Sequence, residues 1–154
     1  MMDPLTNSPI VVLQDTQSDT LLPIWVGIFE ANAIALQIEK IDTPRPMTHD
    51  LIKGLLNQLN AKVTKVVVTE LRDNTFYALI FLDVAGKVMT MDSRPSDAIA
   101  LALRTDSPIY VTEEVIAKSA SAAASAPSAE RTSPEDIKQW LENLNPEDLG
   151  KYKM

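Results

Sequence analysis

The stretch Asp92-Ser93-Arg94-Pro95-Ser96-Asp97-Ala98-Ile99-Ala100-Leu101-Ala102-Leu103-Arg104 places acids, a base, a proline and two hydroxyls directly ahead of six apolar residues. It predicts a helix whose body is buried while its polar N-terminus reaches a surface. Proline suits the first helical position, where its missing N–H leaves no bond unmade. That makes Arg94 or Ser93 the cap and puts Asp97 in the first turn, where a carboxylate complements the helix dipole.

The core of this stretch has an earlier counterpart. Ala33-Ile34-Ala35-Leu36 matches Ala98-Ile99-Ala100-Leu101, and residues 9–39 and 76–104 both read as strand, strand, helix. The match suggests an internal duplication. The predicted class is α+β, with antiparallel β-hairpins packed against three main helices.

In chain order, Pro9–Leu13 and Leu21–Val26 read as paired strands, followed by a mostly buried helix over Ile28–Glu39. Trp25 and Phe29 are expected in the core. A connection carrying Pro44-Arg45-Pro46 leads to a helix over Thr48–Leu59, capped by Thr48, with Leu51, Ile52, Leu55, Leu56 and Leu59 as its apolar stripe. Val63–Leu71, Phe76–Val84 and Val88–Met91 read as strands joined by turns at Arg72-Asp73-Asn74 and Ala85-Gly86-Lys87. Pro108–Val111 is a further short strand, and Glu113–Ile116 adds at most a helical turn.

Residues 1–117 thus form the expected domain. Residues 118–133, rich in Ser and Ala, read as a flexible linker. Residues 134–154 hold a short amphipathic helix and tail, with Ile137, Trp140, Leu141 and Leu144 at helical spacing. So short a helix is marginal alone and should dock on the core, a neighbouring subunit or another protein.

The totals narrow the function. The 154 residues are 45% hydrophobic and 23% charged, as in a soluble globular protein, with no apolar run long enough to span a membrane. There is no cysteine and no recognisable secretory leader, which fits a cytoplasmic location. Net charge is −7, so no general field of lysines is available to hold a duplex. With one histidine and four glycines, neither an ordinary zinc site nor a Gly-rich nucleotide cradle can be built.

What remains is an arrangement. Three predicted helices carry first-turn acids, Glu30, Asp50 and Asp97, and arginines beside proline, Arg45 and Arg94, precede two of them. A helix N-terminus beside a guanidinium suits a phosphate. Carboxylates there could hold Mg²⁺ or Mn²⁺, which activate water for phosphodiester hydrolysis, with His49 as general acid or base. The plainer reading stands beside it: first-turn acids complement dipoles, the arginines pair with Asp92 or Glu30, and His49 is a surface or packing residue.

Five pieces in unbroken order sharpen the choice. They are Pro23-Ile24-Trp25-Val26-Gly27, Glu30-Ala31 with Ala33-Ile34, Arg45-Pro46-Met47-Thr48-His49-Asp50-Leu51, Asp73-Asn74-Thr75-Phe76-Tyr77-Ala78 and Asp92–Ala102. Together they resemble the bifunctional nuclease (BFN) domain family. The resemblance implies a compact, often oligomeric α+β domain and nuclease activity on DNA and RNA. The motif positions that match are Glu30, Arg45, His49, Asp50, Asp92, Arg94, Ser96 and Asp97. The resemblance also implies an opening strand that is expected to be shortened or absent here, which would leave a sheet edge open to a partner strand.

The expectation is a metal-assisted phosphodiesterase on single-stranded nucleic acid. His49, Asp50 and Asp97 would be catalytic, Arg45, Arg94 and Ser96 would bind phosphate, and Glu30, Asp92 and Asp97 would hold the metal. The rival is a non-catalytic homo-oligomeric binding or regulatory module. Convergence of Arg45, Arg94 and Glu30 in an open cleft would favour the first.

Overall fold

The computed structural model describes residue 2 and residues 7–125. A hairpin of β1 (Ile10–Gln14) and β2 (Leu21–Trp25) leads to helices α1 (Ile28–Ile38) and α2 (Thr48–Gln58). Strands β3 (Ala61–Arg72), β4 (Thr75–Val84) and β5 (Lys87–Ser93) follow, then α3 (Pro95–Thr105), β6 (Ile109–Val111) and α4 (Glu113–Ser125). The fold is α+β.

β1 and β2 form a two-stranded antiparallel sheet, while the other strands form a sheet in the order β5-β4-β3-β6. Asp73 and Asn74 both take positive φ, as do Ala85 and Gly86. That is the backbone required by two-residue turns matching the twist of their strands. β6 runs parallel to β3, so the larger sheet is mixed and departs from an all-hairpin arrangement. The chain reaches β6 by crossing over through α3.

α3 is the central element. Pro95 occupies its first position, Arg94 is its N-cap, and nearly every side chain from Ala98 to Ala102 is buried. One face packs on Val66, Ala78, Ile80 and Leu82 of the sheet through Ala98, Leu101 and Ala102. Its other face, with Ile99 and Ala100, meets Ile34 of α1, Val11 and Ile24 of the small hairpin, and Val115 of α4. Small alanines let α1 and α3 approach closely, which accounts for the repeated Ala-Ile-Ala-Leu. The two strand–strand–helix units differ in sheet context, and element order alone does not establish a duplication.

Several expectations change. α4 continues to Ser125, well into the stretch read as a linker from residue 118. Alanine is the strongest helix former, and the wholly buried Val115 anchors the first turn. The cap of α2 is Met47, not Thr48, with the Asp50 carboxylate accepting the Met47 N–H at 3.0 Å. Trp25 and Phe29 are not core residues: Phe29 is 85% exposed. Leu51, Leu55 and Leu59 of α2 also face outward. The amphipathic helix expected over residues 134–145 lies outside the described residues.

Candidate active site

The N-termini of α1, α2 and α3 meet at one place, and each contributes a side chain to a continuous chain of hydrogen bonds. Asp97, in the first turn of α3, is the hub. Its Oδ1 lies 2.9 Å from His49 Nε2 of α2. Its Oδ2 accepts from Arg94 Nε at 2.9 Å and from a terminal guanidinium nitrogen at 2.8 Å. The other terminal nitrogen of Arg94 lies 2.9 Å from Glu30 Oε1 in the first turn of α1. The order is Glu30–Arg94–Asp97–His49.

Burial is graded along this chain. His49 is 8% exposed, whereas the Arg94 side chain is 65% exposed. The two carboxylates raise the Arg94 pKa, first through the Asp97 hydrogen bond and charge and then through Glu30, further favouring an already cationic guanidinium. The Asp97 carboxylate also anchors one ring nitrogen of His49, so the imidazole is held in a defined orientation.

Gly27 supplies a feature the sequence did not announce. A Cβ there would collide with Glu30 Oε2, so the missing side chain is what lets the carboxylate fold back over the start of α1. The glycine sits at the N-cap with φ −71°, a conformation open to any residue.

All four side chains of the network line an open groove of about 610 Å³. Asp92 and Ser93 at the end of β5 share its rim, and Phe29, Ile52, Leu56 and Met91 make much of its remainder apolar.

The other expected residues fall elsewhere. Ser96 is buried and absent from the groove lining, so it offers no phosphate contact there. Arg45 lies in a separate, smaller depression with Asp42, Asp50 and Arg104, and does not converge with Arg94 and Glu30. Asp50 is tied to the buried Arg104, whose Nε donates to Asp50 Oδ1 at 2.7 Å. Arg104 also donates to the carbonyls of Ala100 and Ala33, each at 2.9 Å. It therefore joins all three helices, a role not visible in the sequence.

Two of the three expected metal ligands are engaged within the network. Asp97 spends both oxygens on His49 and Arg94, and Glu30 is turned to Arg94. Among the described residues, no three acids or histidines form a group that could hold an ion.

A compact α+β domain with a polar network at three helix N-termini defines the class, and comparison with known proteins supplies the family. The bifunctional nuclease domain family matches residues 11–124, and the chain belongs to that family. It is 38% identical over 149 residues to an uncharacterized protein of Mycobacterium tuberculosis (strain H37Rv), covering 93% of this chain and 89% of the relative. It is 28% identical over 118 residues to Bifunctional nuclease 1 of Oryza sativa subsp. indica, and 29% over 105 residues to Bifunctional nuclease 1 of Arabidopsis thaliana. These matches cover 75% and 66% of this chain but only 36% and 32% of the plant proteins.

Proposed function

We propose that the chain hydrolyses phosphodiester bonds of DNA or RNA, single-stranded substrates being preferred, at the Glu30–Arg94–Asp97–His49 network. The observation that carries this reading is the unbroken hydrogen-bonded chain at the edge of an open groove, in a domain of the bifunctional nuclease family.

Each part of the network has a task in this reading. Arg94 binds the phosphate and stabilises charge on its oxygens, helped by the positive ends of the converging helices. Glu30 and Asp97 hold the guanidinium from two sides. His49, oriented by Asp97, exchanges a proton with the attacking water or the leaving oxygen. Phe29 offers an exposed ring on which an unpaired base can stack, which favours flexible strands. An acidic chain supports local contact with one or two nucleotides rather than an extended track.

The test is degradation of single-stranded DNA, single-stranded RNA and duplex DNA by purified full-length protein, with Mg²⁺, with Mn²⁺ and with EDTA. Asp97→Asn is expected to lower turnover by about 10²-fold or more, and Glu30→Gln by less. Full activity in both variants removes this site assignment, whatever the metal requirement.

A second reading has its own support. The outward leucines of α2 and the exposed edge strand β5 favour a homo-oligomeric binding module. A folded protein inert on all three substrates under every metal condition selects it.

A further inference from the structure

The helices meet the large sheet on one side only, through Val66, Val68, Ala78, Ile80 and Leu82. Strand alternation turns Lys65, Val67, Tyr77, Leu79, Phe81 and Tyr110 to the other side, and none of these belongs to either core cluster. A sheet face left to water is ordinarily polar. This one carries three aromatic rings, and each has a cation against it. The Lys65 ammonium lies 4.6 Å from the centre of the Phe81 ring and 6.0 Å from that of Tyr110. The Arg72 guanidinium lies 4.8 Å from the centre of the Tyr77 ring.

We propose that this face binds a single strand of nucleic acid, with two bases stacking on Phe81 and Tyr110 while Lys65 meets the phosphate between them. The choice of nucleic acid rests on the phosphodiesterase reading above, and the site lies across the sheet from the groove. Stacking on aromatic rings with a cation beside them is how single strands are held without sequence preference.

Three observations favour this occupant. First, among the described residues no carboxylate pairs with Lys65, although the chain is acidic. An ammonium left to two rings is complementary to a phosphate. Second, Phe81, Lys65 and Tyr110 lie on the successive strands β4, β3 and β6, about 4.8 Å apart. The row continues to Thr90 of the edge strand β5, opposite Phe81, and the next residue, Met91, lines the groove. A strand leaving the groove over that edge meets Phe81 first. Third, the face is ill suited to a second copy of the chain. Interface cores are depleted of charge, whereas Lys62, Lys65, Arg72, Glu70 and Asp83 all stand here and would have to be desolvated. The acids are largely occupied: Glu70 lies 3.9 Å from Arg72, and Asp83 accepts the Gly86 N–H at 2.9 Å, which leaves Asp92 at the β5 edge. Two bases and one phosphate make a local contact, within the means of an acidic chain.

Fluorescence anisotropy of fluorescein-labelled oligo-thymidylate, titrated with full-length protein in EDTA, reads binding apart from metal-assisted cleavage. Phe81→Leu and Tyr110→Leu should each weaken binding about tenfold. Lys65→Gln should weaken it too and lower the slope of log affinity against log salt by about 0.7, the share of one phosphate on a single strand. Lys65→Arg should retain both. Val88→Thr, on the same face but nearer the β4–β5 turn, should change nothing; circular dichroism confirms that every variant folds. If the protein cleaves the oligomer, the three weakening variants should raise KM and leave kcat unchanged. Binding that depends on Phe81, Tyr110 and Lys65 in a protein that cleaves nothing upholds this face and removes the phosphodiesterase reading. Cleavage with a KM indifferent to all three does the reverse. Absence of binding by the wild-type protein overturns the proposal, as does an equal loss in Val88→Thr. A fall in native mass on Phe81→Leu assigns the face to a second copy and overturns it equally.

Discussion

Gly27 matters for the side chain it lacks. Its φ of −71° suits any residue, yet a Cβ would displace the Glu30 carboxylate from above the helix start. The carboxylate is the end of a flexible side chain and can move at little cost. Gly27→Ala should therefore change the unfolding free energy by no more than about 1 kcal/mol. It should loosen Arg94 all the same, and nuclease turnover at the proposed site should fall roughly tenfold or more. Urea denaturation beside the nuclease assay separates the two effects. The first-turn acids were legible as residues with a reason to sit at helix starts. Their choice of partner was not, because Glu30, His49 and Arg94 meet only once three helices are placed. Arg104 was hidden for the opposite reason: at the end of an apolar helix it looks like a solvated C-terminal cation, and only the fold surrounds it.

At the level of elements, α3 was readable because local and global demands agree. Proline at its first position, an acid in the first turn and an unbroken apolar body all specify a buried helix. α2 was half readable. Its stripe announced an apolar side, but periodicity cannot say what that side meets, and Leu51, Leu55 and Leu59 meet solvent in the described structure. What holds α2 to α3 is partly polar. Burial acts against ionised Asp50, but the Met47 N–H and the Arg104 guanidinium prevail and lower its pKa from the ordinary 3.8. A carboxyl lowered on folding stabilises the protein above its unfolded pKa, and that contribution disappears as pH falls through the folded value. Asp50→Ala should cost about 3 kcal/mol near neutral pH, where it strands a buried guanidinium. The gap from wild type should narrow on acidification, as urea denaturation at about pH 7 and about pH 3 would show. The end of α4 was not legible because an Ala/Ser run suits a linker and a helix equally, and the buried Val115 decides for the helix.

At the scale of the whole molecule, the acidic balance and the polar network point to recognition at one spot rather than along a surface. None of the described helices is long and apolar enough to cross a membrane. The arrangement that gathers three helix starts at this spot has a counterpart deeper in the molecule. Arg104 holds the Ala33 carbonyl of α1, the Asp50 carboxylate of α2 and the Ala100 carbonyl of α3 with a single guanidinium. Opening any of the three helices would expose that buried cation to unsatisfied company. Their backbone amides should therefore exchange with deuterium together, as one cooperative unit. Arg104→Leu should split the shared protection of α1 and α2 from that of α3, visible as distinct exchange rates by mass spectrometry. The three helices would then behave as a latch with one pin, and the network at their N-termini would be only as durable as that pin.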